Sequence, residues 1–458
     1  MIRRFVKKIF NRQTASAVQR DPAIIPVKTH GITRDMLSRG AERVCEDLER
    51  AGYRAYVVGG AVRDLLLNRD PKDFDIATNA TPEQVRRCCR RSRIIGRRFQ
   101  IVHVMVGQEL IEVTTFRALH EDASATDEHG RVLRDNTFGT QSDDAARRDF
   151  TVNALYYDPY DETIHDYHHG YADLKQRTLR MIGDPQVRYR EDPVRMLRAV
   201  RLGAKLGLNL DPATRRPIRE MADLLDNVPP ARLFDEMLKL LTCGDALACL
   251  RRLRDEGLHH GVLPLLDVIL EQPLGERFVE QALTNTDERI REGKSISPGF
   301  LFAALLWHEV LAYWNKRKAK GEIAIPALFA AMDDALDRQA EKLAITKRLV
   351  GDIKEIWSLQ PRFEQRSGKR PYALLSHPRF RAGYDFMLLR AQTGEIDSEL
   401  GDWWTKFHDA DDAVQEALIA GAPKDNAPAK KRRRRSPNRR RTQNADGGND
   451  AASGTPSE

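Results

Sequence analysis

The 458-residue chain reads as an α+β protein. A head with a small mixed β-sheet and helices comes first, then an elongated all-α body, then a disordered basic tail. Three observations predict this. Short apolar and β-branched runs at 56–58, 101–106 and 110–116 fall in the first third of the chain. Beyond Gly207 the apolar residues recur at helix spacing throughout. From Ala422 onward Pro, Lys, Arg, Asn, Gly and Ser dominate, a composition that cannot bury enough apolar area to fold alone. The divisions that follow are a leader at 1–30, a head at 31–180, a helical neck at 181–260, a helical body at 261–421 and the tail at 422–458.

The leader begins MIRRFVKKIFNR, which is basic and weakly amphipathic. It lacks the apolar core of a secretory signal and reads as a flexible segment, with contact to a membrane surface or RNA left open. Residues 33–51 carry Met36, Leu37, Ala41, Val44 and Leu48 at helix spacing, and Gly52 ends that helix. The stretch 56–76, YVVGGAVRDLLLNRDPKDFDI, then gives a strand, a Gly-Gly turn, a helix, a loop with proline and a second strand at 73–76. Residues 78–91 form a capped helix, with Thr81 as N-cap, Pro82 in the first turn and Gln84 completing a capping box. Two strands follow, and Glu112 interrupts the second. A polar, glycine-containing loop at 120–143 separates them from AARRDFTVNALYY at 145–157. A helix at 189–203 carries Arg195, Arg198 and Arg201 along one side and Val194, Leu197, Val200 and Ala204 along another. The body helices include 231–241, 246–256, 298–314, 325–335 and 349–358. Residues 362–381 interleave Phe363, Tyr372 and Phe380 with Arg and Lys, a pattern suited to stacking against single-stranded nucleic acid.

Composition narrows the function classes. The net charge is +8, and residues 430–441 alone hold nine basic residues, so the rest of the chain is close to neutral. Lys430, Lys431, Arg432, Arg433, Arg434, Arg435, Arg439, Arg440 and Arg441 should bind RNA phosphates without sequence preference. The five cysteines form no CxxC pair, which disfavours disulfides and structural zinc and fits a reducing cytoplasm. His168–His169 and His259–His260 are adjacent, and that spacing suits packing or solvent better than zinc. No apolar run approaches the length of a membrane span.

The chemistry concentrates at 59–75. Side chains alternate along a strand, so Asp73 and Asp75 share a face with Phe74 opposite. Two neighbouring carboxylates repel until a hard divalent cation sits between them, which suits Mg²⁺. Glu112 is a third carboxylate candidate, since a lone acid inside a strand needs a partner. Gly59 and Gly60 let backbone approach a phosphate, and the helix they open offers free N–H groups. Arg147, Arg148 and Asp149 form either an ordinary helix terminus or an arginine fork for phosphate beside a carboxylate.

Four motifs decide between these readings: GGAVRD at 59–64, KDFDIATNATPEQV at 72–85, RRDFTVNALYY at 147–157 and REDPVRMLRAVR at 190–201. Together they resemble the nucleotidyltransferase superfamily of bacterial poly(A) polymerases and CCA-adding enzymes. Residues 94–117, 229–241 and 368–391, and the basic tail, are similar to the poly(A) polymerases. The polar loop around 121–132 looks shorter than in typical relatives, a difference that touches loop contacts and not the chemistry. The resemblance implies attack of an RNA 3′-hydroxyl on the α-phosphate of ATP, with release of pyrophosphate. It makes Asp73, Asp75 and Asp149 the acidic catalytic positions, with Asp73 and Asp75 holding two Mg²⁺ ions, Mn²⁺ being a possible substitute. Gly59, Gly60 and Arg63 would take the triphosphate, Arg148 the sugar and phosphate, Asp192 and Arg195 the base, and Arg198 a further nucleotide contact. The implied partners are RNA 3′ ends, ATP and RNA-decay proteins, and the implied state is a cytoplasmic monomer. Two alternatives stay open: a CCA-adding tRNA nucleotidyltransferase, and a non-catalytic RNA-binding adaptor that keeps the fold.

Overall fold

A computed structural model describes residues 21–96, 100–118 and 137–422. The expected basic tail, the first 20 residues and most of the polar loop at 120–143 lie outside the described residues. The head is built on one eight-stranded sheet of β1 (Ala23–Pro26), β2 (Ala55–Val58), β3 (Asp75–Thr78), β4 (Ser92–Ile95), β5 (Ile101–Val106), β6 (Glu109–Thr115), β7 (Leu155–Asp158) and β8 (Thr163–Asp166). The spatial order is β1-β8-β7-β2-β3-β6-β5-β4. Only β3 and β6 run parallel; the other neighbouring pairs are antiparallel.

The sheet is larger than the sequence reading suggests. The segment 21–30, assigned to a flexible leader, contains β1, which pairs with β8 and forms an edge of the sheet. The other edge strand, β4, is only four residues long (SRII), too short to show a clear period. One face of the sheet is covered by the helices Arg39–Arg50 and Pro82–Cys88, whose Val44, Leu48 and Val85 pack with Val57, Ile76, Val102, Val104, Ile111 and Val113. The predicted capping box forms: Thr81 accepts from the Gln84 N–H, and Gln84 accepts from the Thr81 N–H. Cys89 is buried and Cys88 half-buried, as core and boundary residues.

Two expectations about local geometry change. The second strand of the 56–76 unit begins at Asp75, not Asp73. Its first residue pairs with Val58, the last residue of β2, so nothing remains for Asp73 to pair with once the chain turns at Gly59. The helix expected across 189–203 is two helices, Pro185–Glu191 and Val194–Leu206. Pro193 forces the preceding residue out of helical geometry, and Asp192 accordingly sits at φ −151, ψ 92.

From Val194–Leu206 onward the chain is helical. One continuous core runs from Phe150 in the head through Leu197 and Val200 to Trp307, Trp357 and Phe386 in the body. The Pro298–Ala319 helix is apolar nearly all round because it lies at the centre of that core. A second body core gathers Phe363, Phe380, Trp403, Trp404 and Phe407. Phe363 and Phe380 are therefore packed residues, and Tyr372 leans on Phe407. They are not stacking platforms for nucleic acid; their alternation with Arg and Lys reflects helices with one buried side.

Candidate active site

The site forms where β2 ends and β3 begins, because the two antiparallel strands meet there, Val58 beside Asp75. Gly59 follows β2 at φ 75, ψ −121, a conformation open to glycine alone, and a Cβ there would stand 3.4 Å from Arg148 Nη1. The Gly60–Leu66 helix begins immediately after it.

Asp75 is half-buried and aligned with Glu112 across the parallel β3–β6 ladder. Asp73 lies exposed in the loop just ahead. Burial first, then the charges of Glu112 and Asp73, push the Asp75 carboxyl up to about 6, while Arg148 acts in the opposite sense. Neighbouring carboxylates that raise the pKa of one of their number are a donor set that a hard divalent cation relieves, so Asp73 and Asp75 fit such an ion. Glu112 also meets His103 at 3.3 Å.

Opposite these acids, RRDFTVNALYY supplies a hydrogen-bonded frame. Thr140 caps the Gln141–Arg147 helix, and Arg148 leaves it in extended geometry. Arg148 donates from Nε to Tyr156 Oη (2.9 Å) and from Nη2 to Asp144 Oδ2 (3.1 Å), and Tyr156 donates to the same carboxylate at 2.6 Å. Burial opposes the Arg148 charge, but Tyr156 and Asp144 more than offset it. Asp149 accepts at Oδ1 from the Phe150 N–H (2.8 Å) and Asn153 Nδ2 (3.0 Å), and at Oδ2 from Arg198 Nε (2.8 Å) and Nη2 (2.5 Å). Burial alone would raise its pKa; Arg198, Asn153 and the Phe150 N–H hold it well below the usual carboxylate range. Both Asp149 oxygens are thus engaged within the chain.

Arg63 departs from the expected triphosphate role. It is buried, donates from Nη1 to Asn153 Oδ1 (2.6 Å), and meets Asp64 Oδ1 through Nε (2.8 Å) and Nη2 (2.6 Å). It braces the glycine turn against Asn153. A chain of contacts, Arg63–Asn153–Asp149–Arg198, therefore ties the first, third and fourth motifs together.

Asp192, Arg195 and Arg198 converge with Arg148 and Asp149 around one open cleft of ≈ 250 Å³. The arginine series is not a solvated stripe. Arg195 donates to Glu191 Oε2 (3.0 Å) and the Arg188 carbonyl (2.9 Å), and Arg201 lies 3.8 Å from Glu236. Asp192 accepts from the Val194 N–H (3.3 Å) and from Arg232 of the Pro230–Leu241 helix (2.7 Å). Sequence reasoning missed Asn153, Tyr156 and Asp144 as framing residues. The first two lie inside RRDFTVNALYY, and Asp144 stands one helical turn before Arg148, so the signal was present in the spacing.

Comparison with known proteins follows this geometry. Residues 55–180 match the family model of the Poly A polymerase head domain, 207–270 that of the probable RNA and SrmB-binding site of polymerase A, and 320–441 that of the polymerase A arginine-rich C-terminus. The chain is 44% identical to Poly(A) polymerase I of Salmonella typhimurium, over 97% of this chain and 98% of that protein. A CCA-adding enzyme of Lactobacillus helveticus is 39% identical over only 43% of the chain and 48% of its own length. The crystal structure of the Bacillus stearothermophilus CCA-adding enzyme in complex with CTP superposes with a TM-score of 0.53 at 28% identity, covering 83% of this chain and 82% of that one. Matched along nearly its whole length, the chain belongs to the poly(A) polymerase family of nucleotidyltransferases.

Proposed function

We propose that the protein is a polynucleotide adenylyltransferase that adds AMP from ATP to RNA 3′ ends without a template and releases pyrophosphate. The observation that carries this is the placement of Asp75, beside Glu112 and two residues after Asp73, where β2 turns at Gly59 toward the Arg148–Asp149–Asp192–Arg195–Arg198 cleft, in a chain of this family. Asp73 and Asp75 would hold divalent cations, Mg²⁺ being the natural choice for an all-oxygen set. Such ions supply Lewis acidity toward the 3′-hydroxyl and the triphosphate. Gly59 and Gly60 receive the triphosphate through backbone N–H groups, and Arg148, fixed by Tyr156 and Asp144, meets phosphate or sugar. Asp149 acts by orienting Arg198 and Asn153 around the cleft. Asp192 and Arg195 face the base, where an acceptor and a donor side by side complement an amino group next to a ring nitrogen.

The basic tail adds sequence-independent grip on RNA, and the setting is the cytoplasm, where tailed RNA is directed to decay. Among the described residues no helix is long and apolar enough to cross a membrane. The test is incubation with an oligo(A) primer and each NTP separately. Long tails with ATP alone support the reading. CTP addition confined to tRNA ends overturns it in favour of a CCA-adding enzyme, and incorporation of no nucleotide overturns it in favour of an adaptor. Asp73→Asn and Asp75→Asn should each abolish AMP addition and leave RNA binding nearly intact; retained activity in both refutes the metal assignment.

A further inference from the structure

The sheet does not stop at the carboxylates. Beyond β3 it continues through β6, β5 and β4, and among the described residues a hydrophobic cluster covers one side of this extension. Val113, Ile111, Val102, Val104 and Ile94 face the helices Arg39–Arg50 and Pro82–Cys88. The opposite side carries a different pattern. The registers place Asp75 beside Glu112, Glu112 beside His103, and His103 beside Arg93. Directly paired residues point to the same side of a sheet, so these four form one row from the active-site acids to the edge strand. The adjacent row pairs Leu110 with Met105, both exposed large apolar side chains.

The edge that ends this row is strongly cationic. Arg93 ends the row, Arg90 and Arg91 lie in the turn that leads into β4, and Arg86 and Arg87 stand just before them on the Pro82–Cys88 helix of the packed side; all five fall within eight residues and are exposed. Among the described residues none of the five makes a side-chain hydrogen bond or an ion pair, whereas nearby Arg43 and Arg50 are both paired with Asp47. Unpaired guanidinium groups gathered without counter-charges attract polyanions and suit phosphate oxygens in particular.

We infer that this side of β6, β5 and β4, with its arginine edge, is a docking surface for single-stranded RNA, taking the strand a few nucleotides upstream of the reacting 3′ end. Bases lie over Leu110 and Met105, and phosphates meet the arginines. Three inter-strand steps put Arg93 roughly 14 Å from Asp75, a span that a few nucleotides cross. The inference rests on the reading of RNA as substrate. It adds a contact surface on the head, separate from the tail and from the nucleotide cleft.

The test uses the full chain with Arg86→Gln, Arg87→Gln, Arg90→Gln and Arg93→Gln together. Glutamine keeps helix propensity, and Arg91 is spared because its φ of 57 makes substitution ambiguous. Binding of a 20-nucleotide oligo(A) is measured against salt, and AMP addition to 20-nucleotide and 3-nucleotide primers is measured side by side. Loss of about three phosphate contacts should flatten the log–log salt slope by about 2. The KM for the long primer should rise roughly tenfold, with the KM for ATP and for the short primer changed less than about twofold. An unchanged slope and long-primer KM overturn the inference and leave the edge to an acidic protein. Should the fourfold variant lose its fold by circular dichroism, Arg93→Glu alone, at the exposed position that ends the row, is read in the same way. Failure of the unaltered chain to add AMP to any primer sinks the underlying function instead, which separates the two failures.

Discussion

Replacing Arg198 with methionine isolates the contact that joins the head to the neck. Asp149 lies at 10% side-chain exposure and Arg198 at 33%, joined by Nε and Nη2 bonds to one oxygen. Breaking a fully buried ion pair from one side costs about 3–5 kcal/mol. Here one partner is a third exposed and Asp149 keeps its bonds to Asn153 and the Phe150 N–H, so the expected loss is about 2–3 kcal/mol. The pH dependence fixes the cause. With Arg198 present the Asp149 pKa is depressed, so its stabilisation is complete above the unfolded value near ~3.9 and fades only in acid. With Arg198 removed, burial is opposed by Asn153 and the Phe150 N–H without the guanidinium, and the pKa rises. The variant then loses stability as pH rises through that higher value, so the deficit should be larger at pH ~7.5 than at pH ~5. Adding Asp149→Asn should recover about half of the loss, measurable as a coupling free energy in a double-mutant cycle. Chemical denaturation of the four proteins at both pH values is the assay. A deficit below about 0.5 kcal/mol that is equal at both pH values would refute the argument.

Other perturbations test separate parts of the molecule. Gly59→Ala forces a Cβ into a glycine-only conformation 3.4 Å from Arg148 Nη1, and should cost about 1–3 kcal/mol while raising the KM for ATP, read by thermal melting and initial rates. His308 is buried beside Glu395, and desolvation lowers its pKa; the unfolded chain therefore takes up a proton first as pH falls through about 6.5, and stability declines. His308→Asn should flatten that acid slope in denaturation curves at pH ~5 and ~7.5. Deleting 423–458 should weaken oligo(A) binding and reduce its salt slope, and an unchanged slope in titrations would count against the tail.

The residues proposed to do chemistry were legible because chemistry demands particular side chains at short spacing. GGAVRD, the two aspartates around Phe74 and the REDPVRMLRAVR segment with Asp192, Arg195 and Arg198 point to a nucleotide site through short motifs and the family they resemble, and the capping box at Thr81–Gln84 forms as its sequence specifies. The helical body was equally readable, since its period is continuous over many turns. What the sequence could not assign was partnership. Arg63 looks like a phosphate ligand until Asn153, 90 positions later, is found taking its Nη1. Arg198 reads as a nucleotide contact until Asp149 is found taking its Nε and Nη2, and Phe363 and Phe380 look like stacking rings until Trp404 closes over them. β1 and β4 are strands only because β8 and β5 supply their hydrogen bonds. Local order is set by dihedral preference and periodicity, which a short window contains. The choice among partners for a charge, a ring or an edge strand is set by desolvation and by which distant segment arrives beside it, and that depends on the whole folded chain.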